Sequence, residues 1–118
     1  MKKLLSIALL SLWASFAQAA TAYVTEFSWN PQTVVYQAAM TGPGLYITTQ
    51  TLAIGVSSVS SAAFSQSTTL IRINVDTTCS VSFGTAPTAT TTSMRIPANQ
   101  TEYFVVPPGT KVAVIANN

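Results

Sequence analysis

Several segments of the chain from Ala22 onward alternate apolar and polar residues with a period of two, and the 3.6-residue period of a helix does not appear there. The clearest segment, residues 69–76, sends three β-branched side chains to one side and two polar ones to the other: Ile71, Ile73 and Val75 against Arg72 and Asn74. Successive side chains of a β-strand point to opposite faces of its sheet. The alternation therefore predicts strands, and we expect an all-β fold.

Turn-forming residues divide this region into short segments. Further strands are predicted at residues 23–29, 33–40, 45–56, 79–83, 94–96, 101–106 and 110–116. Turns at 76–78 and 107–109 predict two hairpins. The hydroxyl-rich stretches 57–67 and 84–93 predict loops, the first anchored by Phe64. Three side chains of the 45–56 segment are expected to face the core: Leu52, Ile54 and Val56. Such short strands with turns between them are typical of a single small antiparallel β-sandwich or barrel.

Cys79 is the single cysteine of the chain, so it cannot form an intrachain disulfide. It alternates with serines and shares one strand face with Val81 and Phe83. A reactive thiol needs a nearby cation or a helix N-terminus, and the local sequence offers neither. We therefore predict a buried, inert cysteine.

The first 19 residues have the layout of a secretory signal peptide. Lys2 and Lys3 form a positive start, residues 4–17 are apolar apart from single serines, and Ala17-Gln18-Ala19 is a small-x-small cleavage site. This apolar stretch is shorter than the about 20 residues that a membrane span requires, so no stable span is expected after cleavage following Ala19. The alternative is an apolar N-terminal helix that stays attached. The chain thus divides into a leader-like segment at 1–19 and one β-domain at 20–118.

The formal net charge of +2 comes from Lys2 and Lys3 alone. The rest of the chain carries three cations and three anions, which cancel: Arg72, Arg95 and Lys111 against Glu26, Asp76 and Glu102. Nucleic-acid binding depends on a basic patch or stripe, and none is present. A surface close to neutrality favours self-association, so we expect a homo-oligomer.

Catalytic and metal-binding residues are scarce in this composition. The chain has no histidine, the commonest general acid–base and hydrolase triad residue, and with one cysteine it cannot form a zinc shell. A glycosidase could use two of the three acids, but each is more simply explained as a turn or surface residue, with Arg72 as an exposed partner for Asp76. Residues 99–101 match a glycosylation acceptor motif. We predict no catalytic, cofactor-binding or metal-binding residues, and a protein that is not an enzyme.

The C-terminal half contains five segments in an order that resembles a known class of proteins. They are SAAF (61–64), TLIRINVD (69–76), CSVSFGTAPTA (79–89), IPANQTEYF (96–104) and PPGTKVAVI (107–115). Residues 61–116 resemble small β-rich virion proteins of tailed bacteriophages and prophages, of the head-decoration or fibre-associated type. The resemblance implies a β-sandwich, a virion location and a capsid or other virion protein as partner, and it supplies no catalytic residues.

Two functional expectations follow from these features. The first is a non-enzymatic structural protein of a bacteriophage particle, a capsid-decoration or fibre-type surface protein that acts through self-association and protein–protein contacts. The alternative is an exported periplasmic or secreted β-sandwich module that recognises a glycan or a protein partner. The alternative predicts an exposed aromatic patch around Trp29, Tyr103 or Phe104.

Overall fold

The computed structural model describes residues 19–28 and 45–118, which form eight strands. They are β1 (Thr21–Phe27), β2 (Tyr46–Ala53), β3 (Val59–Ser60), β4 (Leu70–Val75), β5 (Cys79–Gly84), β6 (Met94–Ile96), β7 (Thr101–Val105) and β8 (Lys111–Ala116). No helix within these residues could span a membrane. The predictions made for residues 1–18, for Trp29 and for the 33–40 strand lie outside the described residues.

The strands form two antiparallel sheets of four, which confirms the all-β prediction. Sheet A has the order β2-β1-β4-β7, and sheet B has the order β3-β8-β5-β6. The inner faces of both sheets contribute to one hydrophobic core. Its buried members are Ala22, Val24, Leu52, Ile54, Phe64, Ile71, Ile73, Val75, Cys79, Val81, Ile96, Val106, Val112 and Val114. Because both sheets share this core, the arrangement is a β-sandwich.

Both predicted hairpins are wrong. Strands β4 and β5 flank the turn at 76–78 but lie in different sheets, and the same holds for β7 and β8 around residues 107–109. Gly109 allows the second crossing, because its φ of +76° is one that L residues rarely adopt. Of the seven pairs of successive strands among the described residues, five lie in different sheets, and the other two, β1–β2 and β5–β6, are neighbours in one sheet. Apart from the N-terminal position of β1, this strand order is that of a jelly roll.

The 45–56 segment was predicted correctly except at its end. Leu52 and Ile54 are buried, whereas Val56 is 95% exposed, because β2 ends at Ala53 and the chain bends away from the core. The predicted loop at 57–67 contains the two-residue strand β3. Its predicted anchor is confirmed: Phe64 is buried, and its backbone N–H donates to the carbonyl of Thr110 at 2.8 Å.

The loop at 85–93 crosses the outer face of sheet B. Ser58 Oγ accepts from the Ala89 N–H at 2.9 Å, and Ser60 Oγ donates to the Pro87 carbonyl at 3.1 Å. Asn117 Nδ2 donates both to Ser80 Oγ at 2.8 Å and to the Thr91 carbonyl at 3.0 Å. Small alanine and hydroxyl side chains let this loop lie close to the sheet, and so Ser80 and Ala113 on the outer face are fully buried.

Candidate interaction surface

The three carboxylates occupy three different environments. Glu26 is only 1% exposed, so the expectation that it is a turn or surface residue is wrong. Asp76 lies at the end of β4, where its Oδ1 accepts from the Thr21 N–H at 2.7 Å. Glu102 is exposed on β7. The expected contact between Arg72 and Asp76 is absent, and within the described residues Arg72 forms no ion pair.

Glu26 ties sheet A to the loop that closes one side of the sandwich. Its Oε1 accepts from the Ser65 N–H at 2.9 Å and from Thr68 Oγ1 at 2.7 Å. Its Oε2 accepts from Gln50 Nε2 at 3.0 Å, and Gln50 Oε1 accepts in turn from the Ala62 N–H at 2.9 Å. A buried carboxylate with donors on both oxygens is satisfied in place. The role of Glu26 is therefore to hold the loop.

Sheet register separates Glu26 from Glu102, the two carboxylates that lie within strands of sheet A. Glu26 pairs with Ile71, and Glu102 pairs with Ile73, so β4 lies between the two acids. Their positions also differ by two residues along the strands. Their Cα atoms are therefore roughly 12 Å apart. The side chain of Glu26 is directed toward Gln50 and β2, away from β7. A glycosidase needs carboxyl groups about 5–10 Å apart around a bound sugar.

Cys79 is fully buried in the core, as predicted. Burial, with a smaller contribution from the negative charge of Asp76, raises the pKa of its thiol to about 11. At neutral pH the group is a protonated thiol, which is a poor nucleophile. Cys79 therefore serves as a small apolar core residue.

The predicted aromatic residues Tyr103 and Phe104 do not form one exposed patch, because Phe104 packs toward the core and Tyr103 lies on the surface. Phe104 packs against Phe83, with ring centroids 4.9 Å apart, and is partly buried against the core. Tyr103 is 42% exposed on the outer face of sheet A. Tyr23, which is 44% exposed on the same face, was not among the predicted residues. The alternation of residues in β1 could have placed Tyr23 on one face of the strand, but it does not indicate which face is exposed.

Polar and aromatic residues form two rows across the outer face of sheet A. One row runs Thr51, Tyr23, Asn74, Thr101, and the next runs Thr49, Thr25, Arg72, Tyr103. Two exposed tyrosines thus flank Arg72 and Asn74. We call the set Tyr23, Arg72, Asn74 and Tyr103 the tyrosine face. It offers aromatic rings and hydrogen-bond donors on one surface.

Four strands lie at the edges of the two sheets, and three of them carry features that oppose pairing. Strand β3 has two residues, and β6 has three, including Arg95, and is followed by Pro97. Strand β7 carries Glu102, whose register opposite Ile73 places it on the inner face. Strand β2 is eight residues long and contains no charge and no proline. A register shift at its first residues leaves 48–53 regularly paired with β1.

The acceptor motif at 99–101 lies in the exposed turn between β6 and β7. Asn99 has a φ of +62°, a conformation that asparagine tolerates better than most residues. Its backbone N–H donates to the Val75 carbonyl at 2.8 Å. The conformation of the turn therefore accounts for an asparagine at position 99 without any need for glycosylation.

Within residues 19–28 and 45–118, no group of three or more Cys, Asp or Glu residues could hold a metal ion. No family model matches the chain, and neither a curated protein nor a solved structure shows a significant match to it. Fold and function are therefore inferred from the described residues themselves.

Proposed function

We propose that the protein is a non-enzymatic structural subunit that assembles with copies of itself and with other proteins. The observation that carries this proposal is the long, neutral edge of β2, with which no strand of residues 19–28 and 45–118 other than β1 pairs. Soluble monomers usually shorten, charge or cover such edges, because unpaired backbone groups recruit further strands. The resemblance of residues 61–116 to virion proteins favours a tailed-bacteriophage particle as the assembly.

The surface charge supports the same proposal. The β-domain carries six charged residues with no net charge, and Glu26 is buried. Copies of the domain therefore repel one another weakly. Fold alone does not decide the function, because jelly-roll sandwiches are used both in viral capsids and in lectins.

Light scattering of the full chain after size exclusion, over a wide concentration range, tests self-association. We expect a mass above that of the monomer at the higher concentrations. Mass spectrometry of particles purified from the host bacterium tests the virion location, and we expect peptides of this chain among the particle proteins. A monomer at every concentration, together with absence from particles, would contradict the proposal.

The tyrosine face favours a second candidate function, an exported module that binds a glycan or a protein. Tyr23 and Tyr103 are exposed on either side of Arg72 and Asn74, which places aromatic rings beside hydrogen-bond donors that a sugar could use. A glycan array probed with wild type and with Tyr23→Ala tests this candidate. Tyr46→Ala, which removes another exposed tyrosine of sheet A, is the matched control. Binding that Tyr23→Ala abolishes and Tyr46→Ala preserves would favour this module over the structural subunit.

A further inference from the structure

The direction of the backbone groups of β2 follows from a single hydrogen bond. The Ile54 N–H donates to the Ala20 carbonyl at 2.9 Å, in register with the β1–β2 ladder. In an antiparallel ladder, alternate residues point their backbone groups at the partner strand. Residues 48, 50, 52 and 54 therefore face β1. Thr49, Thr51 and Ala53 point their N–H and C=O groups outward.

These outward groups are free and accessible. Thr49, Thr51 and Ala53 are all exposed, and no described residue pairs with their backbone groups. Their side chains lie on the outer face of sheet A, beside β1 residues such as Tyr23. The edge thus presents three consecutive bonding positions with small side chains.

We propose that β2 pairs antiparallel with β2 of a second copy, about a two-fold axis at Thr51. This inference rests on the proposed function and names the contact through which the subunits join. The two sheets A then form one continuous sheet of eight strands. Such an interface is isologous: each copy contributes the same surface.

This register uses every outward position. Thr51 lies opposite Thr51 of the second copy, and Thr49 lies opposite Ala53 on each side of the axis. Each directly opposed pair of this kind exchanges two backbone hydrogen bonds, so three pairs provide about six. An axis at Thr49 or Ala53 would leave some of these groups unpaired. The bonding positions therefore select the axis at Thr51.

Side-chain chemistry favours a second copy of the same strand over another edge. Threonine opposite threonine is a favourable cross-strand pair, and no charge lies on β2 to oppose itself across the axis. Pairing with β6 or β7 of another copy would bring Arg95 or Glu102 to the interface. Strand β3 is too short to pair along β2.

Charge substitutions at Thr51 test the axis directly. In Thr51→Lys or Thr51→Glu, like charges meet across the axis, and we expect self-association to weaken at least about tenfold. Mixing the two variants places Lys opposite Glu, and we expect the dimer to return with one chain of each kind. Thr101→Lys and Thr101→Glu, on the outer face of the opposite edge strand, are matched controls that should assemble like wild type. Circular dichroism shows that each variant is folded.

The outcomes separate this inference from the proposed function. A wild type that stays monomeric at all concentrations counts against both. A wild type that assembles, with Thr51 variants that assemble equally well, overturns the β2 contact and leaves the structural role standing. Folded monomers that do not recombine on mixing overturn the two-fold axis at Thr51. Heterodimers found only in the mixture support it.

Discussion

Glu26 connects parts of the chain that are distant in sequence. Its carboxylate accepts three hydrogen bonds, from Gln50 on the neighbouring strand and from Ser65 and Thr68 in the loop. Hydrogen bonds to a charged group contribute more than neutral ones, and a buried donor left without an acceptor is costly. The loop and the edge strand β2 therefore depend on this one side chain.

We expect Glu26→Gln to lower the free energy of unfolding by about 2–4 kcal/mol, because an amide NH₂ would then face a buried donor. Urea unfolding followed by circular dichroism measures the change. Glu102→Gln is the matched control, since Glu102 is exposed on β7 and its side chain forms no hydrogen bond or ion pair with the described residues, and it should change stability little. Equal effects of the two substitutions would contradict the structural role of Glu26.

Cys79 makes the free energy of unfolding depend on pH in the alkaline range. The pKa of its thiol rises from 9.0 to about 11 in the folded protein. Between these values the unfolded chain has lost a proton that the native state still binds, so the free energy of unfolding falls as the pH rises. Below pH 9 both states bind the proton, and the effect vanishes.

We expect Cys79→Ala to lose less stability than wild type between pH 8 and pH 11, although the cavity makes it less stable at pH 7 by about 1 kcal/mol. Urea midpoints at several pH values measure the two slopes. The two proteins differ only at residue 79, so the difference between their slopes reports the thiol alone. Parallel slopes would show that the Cys79 thiol does not contribute.

The loop at 85–93 is a structural element despite its composition. Its contacts with Ser58, Ser60 and Asn117 cover the outer face of sheet B with small side chains. A segment of alanine, serine and threonine is predicted as a solvated loop, because nothing in its sequence shows that a sheet lies beneath it. Its order depends on residues that are distant along the chain.

Asn117 bridges this loop to β5, so its removal should loosen the loop selectively. We expect Asn117→Ala to speed amide hydrogen exchange in residues 85–93 and to cost about 1 kcal/mol of stability, while β4 keeps its protection. Exchange followed by mass spectrometry measures both. Asn118→Ala, at the exposed neighbouring residue, should leave the exchange unchanged. Faster exchange in both variants would instead point to fraying of the C-terminus.

Periodicity predicts the strands well but not how they pair. Residues 71–75 of β4 were predicted with both faces correct, since apolar and polar residues alternate there. The connection at 76–78 is as short as a hairpin turn, and a three-residue link can equally cross the end of a sandwich. Asp76, which was expected to form the turn, instead accepts a hydrogen bond from the Thr21 N–H of β1. That contact is not local in sequence, and so the hairpin prediction was wrong.

The candidate surfaces were also only partly predictable, because exposure and edge position depend on contacts between segments that are distant in sequence. Tyr103 was predicted, but Tyr23 was missed, because β1 buries residues of both faces, including Thr25 and Glu26. Alternation along such a strand gives no preferred exposed side. The edge position of β2 depends on the order of strands in sheet A, which the sequence of β2 alone does not contain.

At the scale of the whole molecule, low charge and an open edge act together. Among the described strands, three of the four edge strands carry a feature that opposes pairing, so under the proposed function we expect copies to meet on the β2 side of sheet A. A surface without net charge lets two copies approach closely, but it does not favour one orientation over another. The proposed structural role calls for both properties: an edge that fixes the direction of contact, and a surface whose lack of net charge allows copies to pack closely.

Self-association should therefore be nearly independent of salt. Backbone hydrogen bonds between neutral strands involve no ion pairs that salt could screen, and the β-domain has no net charge. We expect the dissociation constant of the wild-type assembly to change less than about threefold between roughly 50 and 500 mM NaCl. Thr51→Lys provides the internal comparison, because its like charges across the axis are screened and its association should strengthen with salt. Analytical ultracentrifugation at several salt concentrations measures both trends. A wild-type assembly that dissociates in high salt would mean that Arg72, Arg95 or another charged group, and not the β2 edge, holds the copies together.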